Sequence, residues 1–316
     1  MMLFAVHISD GVLTWPWLWG GFALAGILLA VSAWRLREDE IPRIALLTAA
    51  FFVSSLIHVR VGPTSIHLLL TGLVGVLLGT RAALAVFVGL LLQVILIQHG
   101  GYFTLGVNTC VMTAPALLAC ALFQLLHRLP WIKEPTARAF LVGAGALIWF
   151  LSGVYSITLV CNTALTALDE AAFQLAKERL LDPWLLGAAV VIAGIAIAIE
   201  RRLENTPEFP LGFLIGELSV LLTAGLNCVV LIAGGETHWP TAPLLLVIAH
   251  LPFAVVEGVI LGFVVGFLAT VKPEMLGITR KTYLDIPDLT PAPAAPPSEA
   301  IMVKDTSFMN QAERDR

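Results

Sequence analysis

The chain has 316 residues, of which 58% are hydrophobic and 13% are charged, and its net charge is -4. Soluble domains carry about 25% charged residues, so the composition excludes an ordinary soluble protein and indicates one that crosses the lipid bilayer several times. The chain also lacks the excess of basic residues that nucleic-acid binding requires, so nucleic acid is excluded as a partner.

Long apolar runs predict nine membrane-spanning segments. A helix needs about 20 apolar residues to cross a bilayer, and the third run is shorter, so we expect a partial or tilted helix there. If that run merges with its neighbour the count falls, and the predicted fold is an all-α membrane bundle of about 7 to 9 helices. The runs cover residues 15–34, 43–59, 67–80, 82–98, 108–127, 138–160, 184–200, 211–233 and 242–270.

The distribution of Lys and Arg predicts the orientation of this bundle. Basic residues that flank membrane helices are retained on the cytoplasmic side. With the N-terminus outside, only Arg60, Lys177 and Arg179 fall in outer loops, and the rest of the 18 basic residues fall on the inner side. We therefore expect the N-terminus outside and the C-terminus in the cytoplasm.

Two segments lack the pattern of a membrane span. Residues 167–180 place apolar side chains at helical spacing with charges between them, which is typical of an amphipathic helix on the outer surface. From Thr279 onward the chain is rich in Pro and Ala, which is typical of a disordered segment. We predict an integral membrane domain over residues 1–271 and a cytoplasmic tail over residues 272–316.

Histidines are concentrated toward one end of the predicted bundle. Only His127 maps to the inner face, and His250 lies a few turns below the outer surface. Imidazole is a common ligand for Ni, Co, Zn and Cu, so several imidazoles on one face suggest a metal site. A single histidine at a helix end is more often an interfacial residue, and that alternative stays open for individual members. The outer histidines are His7, His58, His67, His99 and His238.

Polar residues near two of these histidines favour the metal-site hypothesis. The run PTSIH places Thr64 and Ser65 before His67, where either would cap the third helix and direct the imidazole into an outer cavity. The loop QHGGYFTLGVNT follows the fourth span, and we weigh a site-supporting loop and a plain connector equally. Its supporting residues would be Thr104, Gly106, Asn108 and Thr109.

The last span carries ionisable side chains at membrane depth. Such groups must pair, lose their charge or face a polar interior. We predict that His250 and Glu257 serve helix pairing or coupling.

Four segments resemble, in this order, the signature segments of the CbiM/NikM family: HISDGVL, PTSIH, GGYFTLGVNT and AHLPFAVVEG. Members of that family are the substrate-binding membrane components of energy-coupling-factor (ECF) transporters for cobalt and nickel. The resemblance covers residues 7–160 and 240–270, and it makes residues 161–239 an extension of a minimal member. It implies a prokaryotic plasma-membrane protein with Co²⁺ or Ni²⁺ as its transported substrate and no organic cofactor.

The resemblance also implies a mechanism. The metal would be bound between His7 and His67 and released inside, with a transmembrane coupling subunit and two ATP-binding cassette subunits as partners. The resemblance also implies a small accessory membrane subunit as a further partner. The chain has no G-x-x-x-x-G-K-[ST] phosphate loop, so we expect a transporter subunit that is not itself an enzyme.

One feature departs from the family. In family members histidine is the second residue, so the terminal amino group helps to bind the metal in a planar site, whereas MMLFAV precedes His7 here. Either the chain is processed close to His7 or the site is built differently. In the second case we expect His7, His67 and one of His58, His99 or Asp10 as ligands. Asp10 has an alternative role as a turn cap, which we favour.

Other functions stay open from the sequence. A membrane enzyme has little support, because HExxH, paired-Asp and GxSxG motifs are absent. A vitamin-binding ECF component would leave the outer histidines unexplained, and a metal sensor without transport would suit the Pro-rich tail. The sequence does not decide between cobalt and nickel.

Overall fold

The computed structural model describes residues 4–5, 7–61, 64–129, 134–162, 170–202, 208–235 and 242–278. These residues form ten α-helices and three short β-strands. The helices are α1 (Trp15–Ala33), α2 (Ile41–Leu56), α3 (Thr71–Leu78), α4 (Ala82–Ile97), α5 (Leu105–His127), α6 (Pro135–Asn162), α7 (Glu170–Leu180), α8 (Pro183–Arg202), α9 (Glu208–Gly234) and α10 (Ala242–Val271). The strands are β1 (Phe4–Ala5), β2 (His58–Val61) and β3 (Thr64–His67).

Seven helical segments among the described residues are long and apolar enough to cross a membrane. They are α1, the stretch Thr71–Ile97, α5, α6, α8, α9 and α10. The stretch Thr71–Ile97 meets the criterion by length and composition, but it contains two helices, α3 and α4, and is not a single straight crossing. The predicted multi-pass helical bundle is thereby confirmed. α2 has only 16 residues and falls short of this length, although the sequence predicts a span there.

α3 and α4 form a hairpin rather than one straight rod. A straight helix over residues 71–97 would be about 40 Å long, yet the rings of His67 and His99, which flank it, have centroids 5.3 Å apart. The chain reverses at a short 3₁₀ turn, Gly79–Arg81, where Gly79 has a φ of +57° that favours glycine. The third predicted span is therefore a partial helix of eight residues.

α3 lies in the centre of the bundle, and all of its residues are buried. Its close approach to neighbouring helices depends on glycine. A Cβ at Gly75 would overlap the backbone of Ala116 in α5, and a Cβ at Gly72 would meet the Ser219 hydroxyl of α9. The packing of α9 on α10 uses the same device, because a Cβ at Gly216 would meet the backbone at Gly258.

One end of the bundle carries paired charges, and we call it the charged end. Arg81 donates to the carbonyl oxygens of Ser32 (2.6 Å) and Trp34 (2.8 Å). These carbonyls stand at the end of α1, where backbone oxygens lose their helical donors. Its ion pairs are Arg81–Glu40 at 3.1 Å, His127–Glu208 at 3.2 Å and Arg138–Glu200 at 3.2 Å.

The opposite end carries a three-stranded sheet in the order β1-β3-β2. β1 runs parallel to β3, and β2 runs antiparallel to it. The sequence predicts no strand here and is wrong in this detail. The β-branched residues Val59, Val61, Thr64 and Ile66 favour extended backbone over helix.

The sheet also corrects the predicted start of the third helix. His67 ends β3, and α3 begins only at Thr71. Thr64 and Ser65 belong to β3, so neither is the N-cap of α3, which is Leu70.

Some predictions fall partly outside the described residues. Those outside are residues 167–169 of the predicted amphipathic helix, His238, and residues 279–316 of the predicted tail. The described part of the amphipathic segment is helical, as α7. At the start of the predicted tail, Pro273–Leu276 forms a 3₁₀ helix, and Leu276 is buried in the core. The orientation of the termini stays a prediction.

Candidate metal centre

The pairing of β1 with β3 places His7 beside His67. Ala5 is the parallel partner of Ser65, and the two histidines stand two residues further along their chains. Residues in register on neighbouring strands lie about 4.8 Å apart and project to the same face. The two imidazole rings are accordingly stacked, with centroids 4.9 Å apart and planes 7° apart. The segment that precedes His7 thus contains the strand that positions it.

His99 completes a cluster with these two residues. It follows α4 and its C-cap residue, Gln98, which has the left-handed conformation. The His99 ring centroid lies 4.7 Å from that of His7 and 5.3 Å from that of His67. One ring nitrogen from each histidine lies within 4.8 Å of the others. Nitrogens that share an ion at a bond length of about 2.0–2.1 Å lie at most about 4.2 Å apart, so a small adjustment would let this three-histidine cluster hold a metal.

Two of the three histidines are fully buried, and His99 is half-buried. His7 and His67 are each 1% exposed. Burial, and then the nearby His99, His67 and His250, hold the pKa of His7 well below its usual 6.5. Neither ring nitrogen of His7 has a hydrogen-bond partner among the described residues. At neutral pH His7 therefore offers a free lone pair rather than a competing proton.

The orientation of His67 is fixed by the backbone. Its Nδ1 lies 2.8 Å from the carbonyl oxygen of Leu68, and because a carbonyl only accepts, Nδ1 carries the proton. Nε2 then carries the lone pair. Metal-binding histidines are commonly oriented by such a bond on the second nitrogen.

Glu257 of α10 holds the chain that leads from His67 into α3. Its two carboxylate oxygens accept the backbone N–H groups of Leu69 and Leu70, the latter at 2.9 Å. These donors stand at the N-terminus of α3, where N–H groups lack helical partners and a carboxylate is favoured. The predicted pairing role of Glu257 therefore takes the form of a cap on the backbone beside the cluster.

The Asp10 carboxylate binds the turn that precedes α5. Its carboxylate accepts the N–H groups of Tyr102 (2.9 Å), Phe103 (2.9 Å) and Thr104 (3.1 Å), directly before α5. A Cβ at Gly101 would overlap this carboxylate, so the loop is shaped around it. The Asp10 carboxylate thus binds a loop about 90 residues further along the chain, and Asp10 is outside the three-histidine cluster.

Two of the predicted supporting residues bind the chain next to His7. The Asn108 side chain accepts the N–H of Ile8 (2.9 Å) and donates to its carbonyl oxygen (2.9 Å). The Thr104 hydroxyl donates to the same oxygen at 2.6 Å. Three hydrogen bonds therefore fix the residue that follows His7.

The remaining predicted site residues lie elsewhere or are described only by their backbone. The Thr109 hydroxyl bonds to the carbonyl of its own helix at Leu105, and Gly106 lets α5 approach the backbone of Phe22. His58 is the antiparallel register partner of His67. The side chains of His58, Thr64 and Ser65 lie outside the described part of the chain.

The helical bundle, together with the family match given next, defines a multi-pass protein of the prokaryotic plasma membrane. The sequence model of the cobalt uptake substrate-specific transmembrane region, CbiM, matches residues 7–181 and 183–275. The chain therefore belongs to the CbiM family, as its signature segments indicate. This match runs through residues 161–239, apart from residue 182.

Individual relatives agree with this assignment. A Haemophilus influenzae protein that carries the provisional name of a metal transport protein is 47% identical over 119 residues, which are 38% of this chain and 58% of the relative. The cobalt transport protein CbiM of Sorangium cellulosum is 30% identical over 233 residues, or 70% of this chain and 88% of the relative.

A solved structure supports the fold. The crystal structure of a truncated transition metal transporter matches 84% of this chain and 99% of its own, with a TM-score of 0.51 and 17% identity.

Proposed function

We propose that this membrane protein binds Co²⁺ or Ni²⁺ as the substrate-binding component of an ECF-type importer. Family membership supports a role in cobalt uptake at the membrane. The observation that carries the proposal is the three-histidine cluster, whose nitrogens lie within 4.8 Å of one another inside the protein.

The chemistry of the cluster suits these ions. Imidazole nitrogen binds Co²⁺, Ni²⁺ and Zn²⁺ well, whereas Mg²⁺ and Ca²⁺ prefer oxygen ligands. The carboxylates of Asp10 and Glu257, which bind the backbone near His7 and His67, are occupied by backbone N–H groups. The cluster therefore offers neutral nitrogen and discriminates against the abundant hard cations.

Loading and release require the cluster to open. His7 and His67 are carried by different segments, and each is 1% exposed, so an ion passes only when these segments separate. In this proposal the energy for opening is supplied by partner proteins, namely one transmembrane coupling subunit and two ATP-binding cassette subunits. The chain has no phosphate loop of its own, and we assign it no enzymatic step.

Metal binding by the purified protein tests the site. We expect His67→Ala to weaken binding of Co²⁺ at least about hundredfold in calorimetric titration, since even outer-shell changes cost 10- to 100-fold. His127→Ala is the matched control, because His127 pairs with Glu208 at the charged end and its loss leaves the cluster intact. An unchanged affinity of the His67→Ala protein would contradict the site.

Uptake in cells tests the transport role. We expect accumulation of radiolabelled Co²⁺ only when the coupling and ATP-binding cassette subunits are produced together with this protein. Metal binding without any uptake would favour a sensor, and uptake without the partners would contradict the ECF mechanism. Parallel titrations with Ni²⁺ decide which ion is preferred.

A further inference from the structure

A fourth buried histidine lies beside the three-histidine cluster. His250 belongs to α10, which contacts both β1 and β3, and its side chain is 0% exposed. It is close enough to His7 to contribute to the lowered pKa of that residue. The four imidazoles come from four separate elements of the fold.

The contact of Glu257 with the backbone shows how high His250 lies in the bundle relative to His67. Residues 250 and 257 are two helical turns apart, on one face of the helix and separated by about 10.5 Å. Glu257 binds the chain at Leu69 and Leu70, which lies up to about 7–10 Å of chain beyond His67. Since β3 also contacts α10, His250 stands at the level of His67.

The tautomer of His250 is that of a metal ligand. Its Nδ1 donates to the carbonyl oxygen of Leu246 at 2.6 Å, so Nε2 carries the lone pair. Nε2 is buried and has no hydrogen-bond partner among the described residues. A core histidine held for packing alone would leave this buried acceptor unsatisfied, which is unfavourable, whereas a metal ion would satisfy it.

We propose that Nε2 of His250 is a fourth nitrogen ligand, joining His7, His67 and His99 when the ion enters. This inference rests on the proposed metal-binding function. His250 lies outside the group whose nitrogens are within 4.8 Å of one another, so the cluster contracts toward α10 on binding.

The test compares two histidine-to-asparagine variants of the full chain, titrated with CoCl₂. His250→Asn keeps a side-chain N–H for the Leu246 carbonyl but removes the Nε2 donor. His127→Asn is the matched control at the charged end. We expect His250→Asn to weaken Co²⁺ binding at least about tenfold and to alter the visible absorption of bound Co²⁺, while His127→Asn changes neither.

The outcomes separate this inference from the proposed function. If the unmodified protein binds no Co²⁺, the proposed function itself fails. If it binds Co²⁺ and His250→Asn has the same affinity, or a lower affinity with an unchanged spectrum, His250 is not a ligand and the inference is overturned. X-ray absorption of the Co²⁺-loaded unmodified protein needs no variant: four imidazole nitrogens support the inference, and three contradict it.

Discussion

The two ends of the bundle differ in whether their polar side chains have hydrogen-bonding or ion-pair partners. At the charged end Arg81, Arg138 and His127 each have an acidic partner within 3.2 Å. At the histidine end His7 and His250 bury ring nitrogens that have no hydrogen-bond partner in the described ranges. Paired groups stabilise the fold, whereas unsatisfied buried acceptors cost stability. The paired groups and the proposed metal site therefore lie at opposite ends, and we expect that stability and metal affinity can be changed separately.

The largest expected effect tests this separation at the charged end. Arg81 holds the end of α1 and pairs with Glu40 while its side chain is 15% exposed. We expect Arg81→Ala to lower the free energy of unfolding by about 3 kcal/mol and to leave the Co²⁺ affinity unchanged. Unfolding in detergent and calorimetric titration measure the two quantities.

A control for this substitution is available on the same surface. Arg37 pairs with Asp39, but their side chains are 74% and 66% exposed. We expect Arg37→Ala to change stability by less than about 0.5 kcal/mol. A parallel loss of metal affinity in the Arg81→Ala protein would show that the two ends are coupled after all.

Substitution of Asp10 is expected to lower stability less than Arg81→Ala does, and also to weaken Co²⁺ binding. Asp10→Asn keeps the size of the side chain but weakens its bonds to the N–H groups of residues 102–104. We expect about 2 kcal/mol lower stability and about tenfold weaker Co²⁺ binding, because the segment after His7 loosens. Asp39→Asn, on the exposed surface, is the matched control. A loss as complete as that of His67→Ala would instead identify Asp10 as a ligand.

The smallest effect is the pH dependence from His7. Because the pKa of His7 is lowered in the folded state, the unfolded chain binds more protons once the pH falls below 6.5. The free energy of unfolding then decreases with falling pH, by at most about 1.4 kcal/mol per pH unit from this residue, until the folded pKa is reached. We expect His7→Asn to have a shallower dependence in unfolding experiments between pH 7.5 and 5.5. Equal slopes would show that His7 is not the responsible group.

Much of the outer cluster can be predicted from the sequence. Imidazoles at the ends of apolar runs are visible without a structure, so His7, His67 and His99 are all identified as candidates. The sheet cannot be predicted in this way, because β2 and β3 are short and lie between strongly apolar runs whose pattern is that of helices. Their pairing with β1 therefore has no clear signal in the sequence.

The contribution of the last helix is harder to predict. The sequence shows that Glu257 and His250 lie at membrane depth, but not which groups they face. The partner of Glu257 is a backbone N–H 187 residues away, and backbone donors carry no residue signature. The contact depends on how α10 packs against α9 and α3, which is a property of the whole bundle.

The strand β1 has a practical consequence for work with this protein. His7 is anchored on both sides, by the pairing of Ala5 with Ser65 before it and by the bonds of Asp10 to residues 102–104 after it. Residues added ahead of Phe4 leave the spacing of these two anchors unchanged. A purification tag or fusion partner at that end is therefore compatible with an intact cluster, whereas inserting one residue between Ala5 and Asp10 is not.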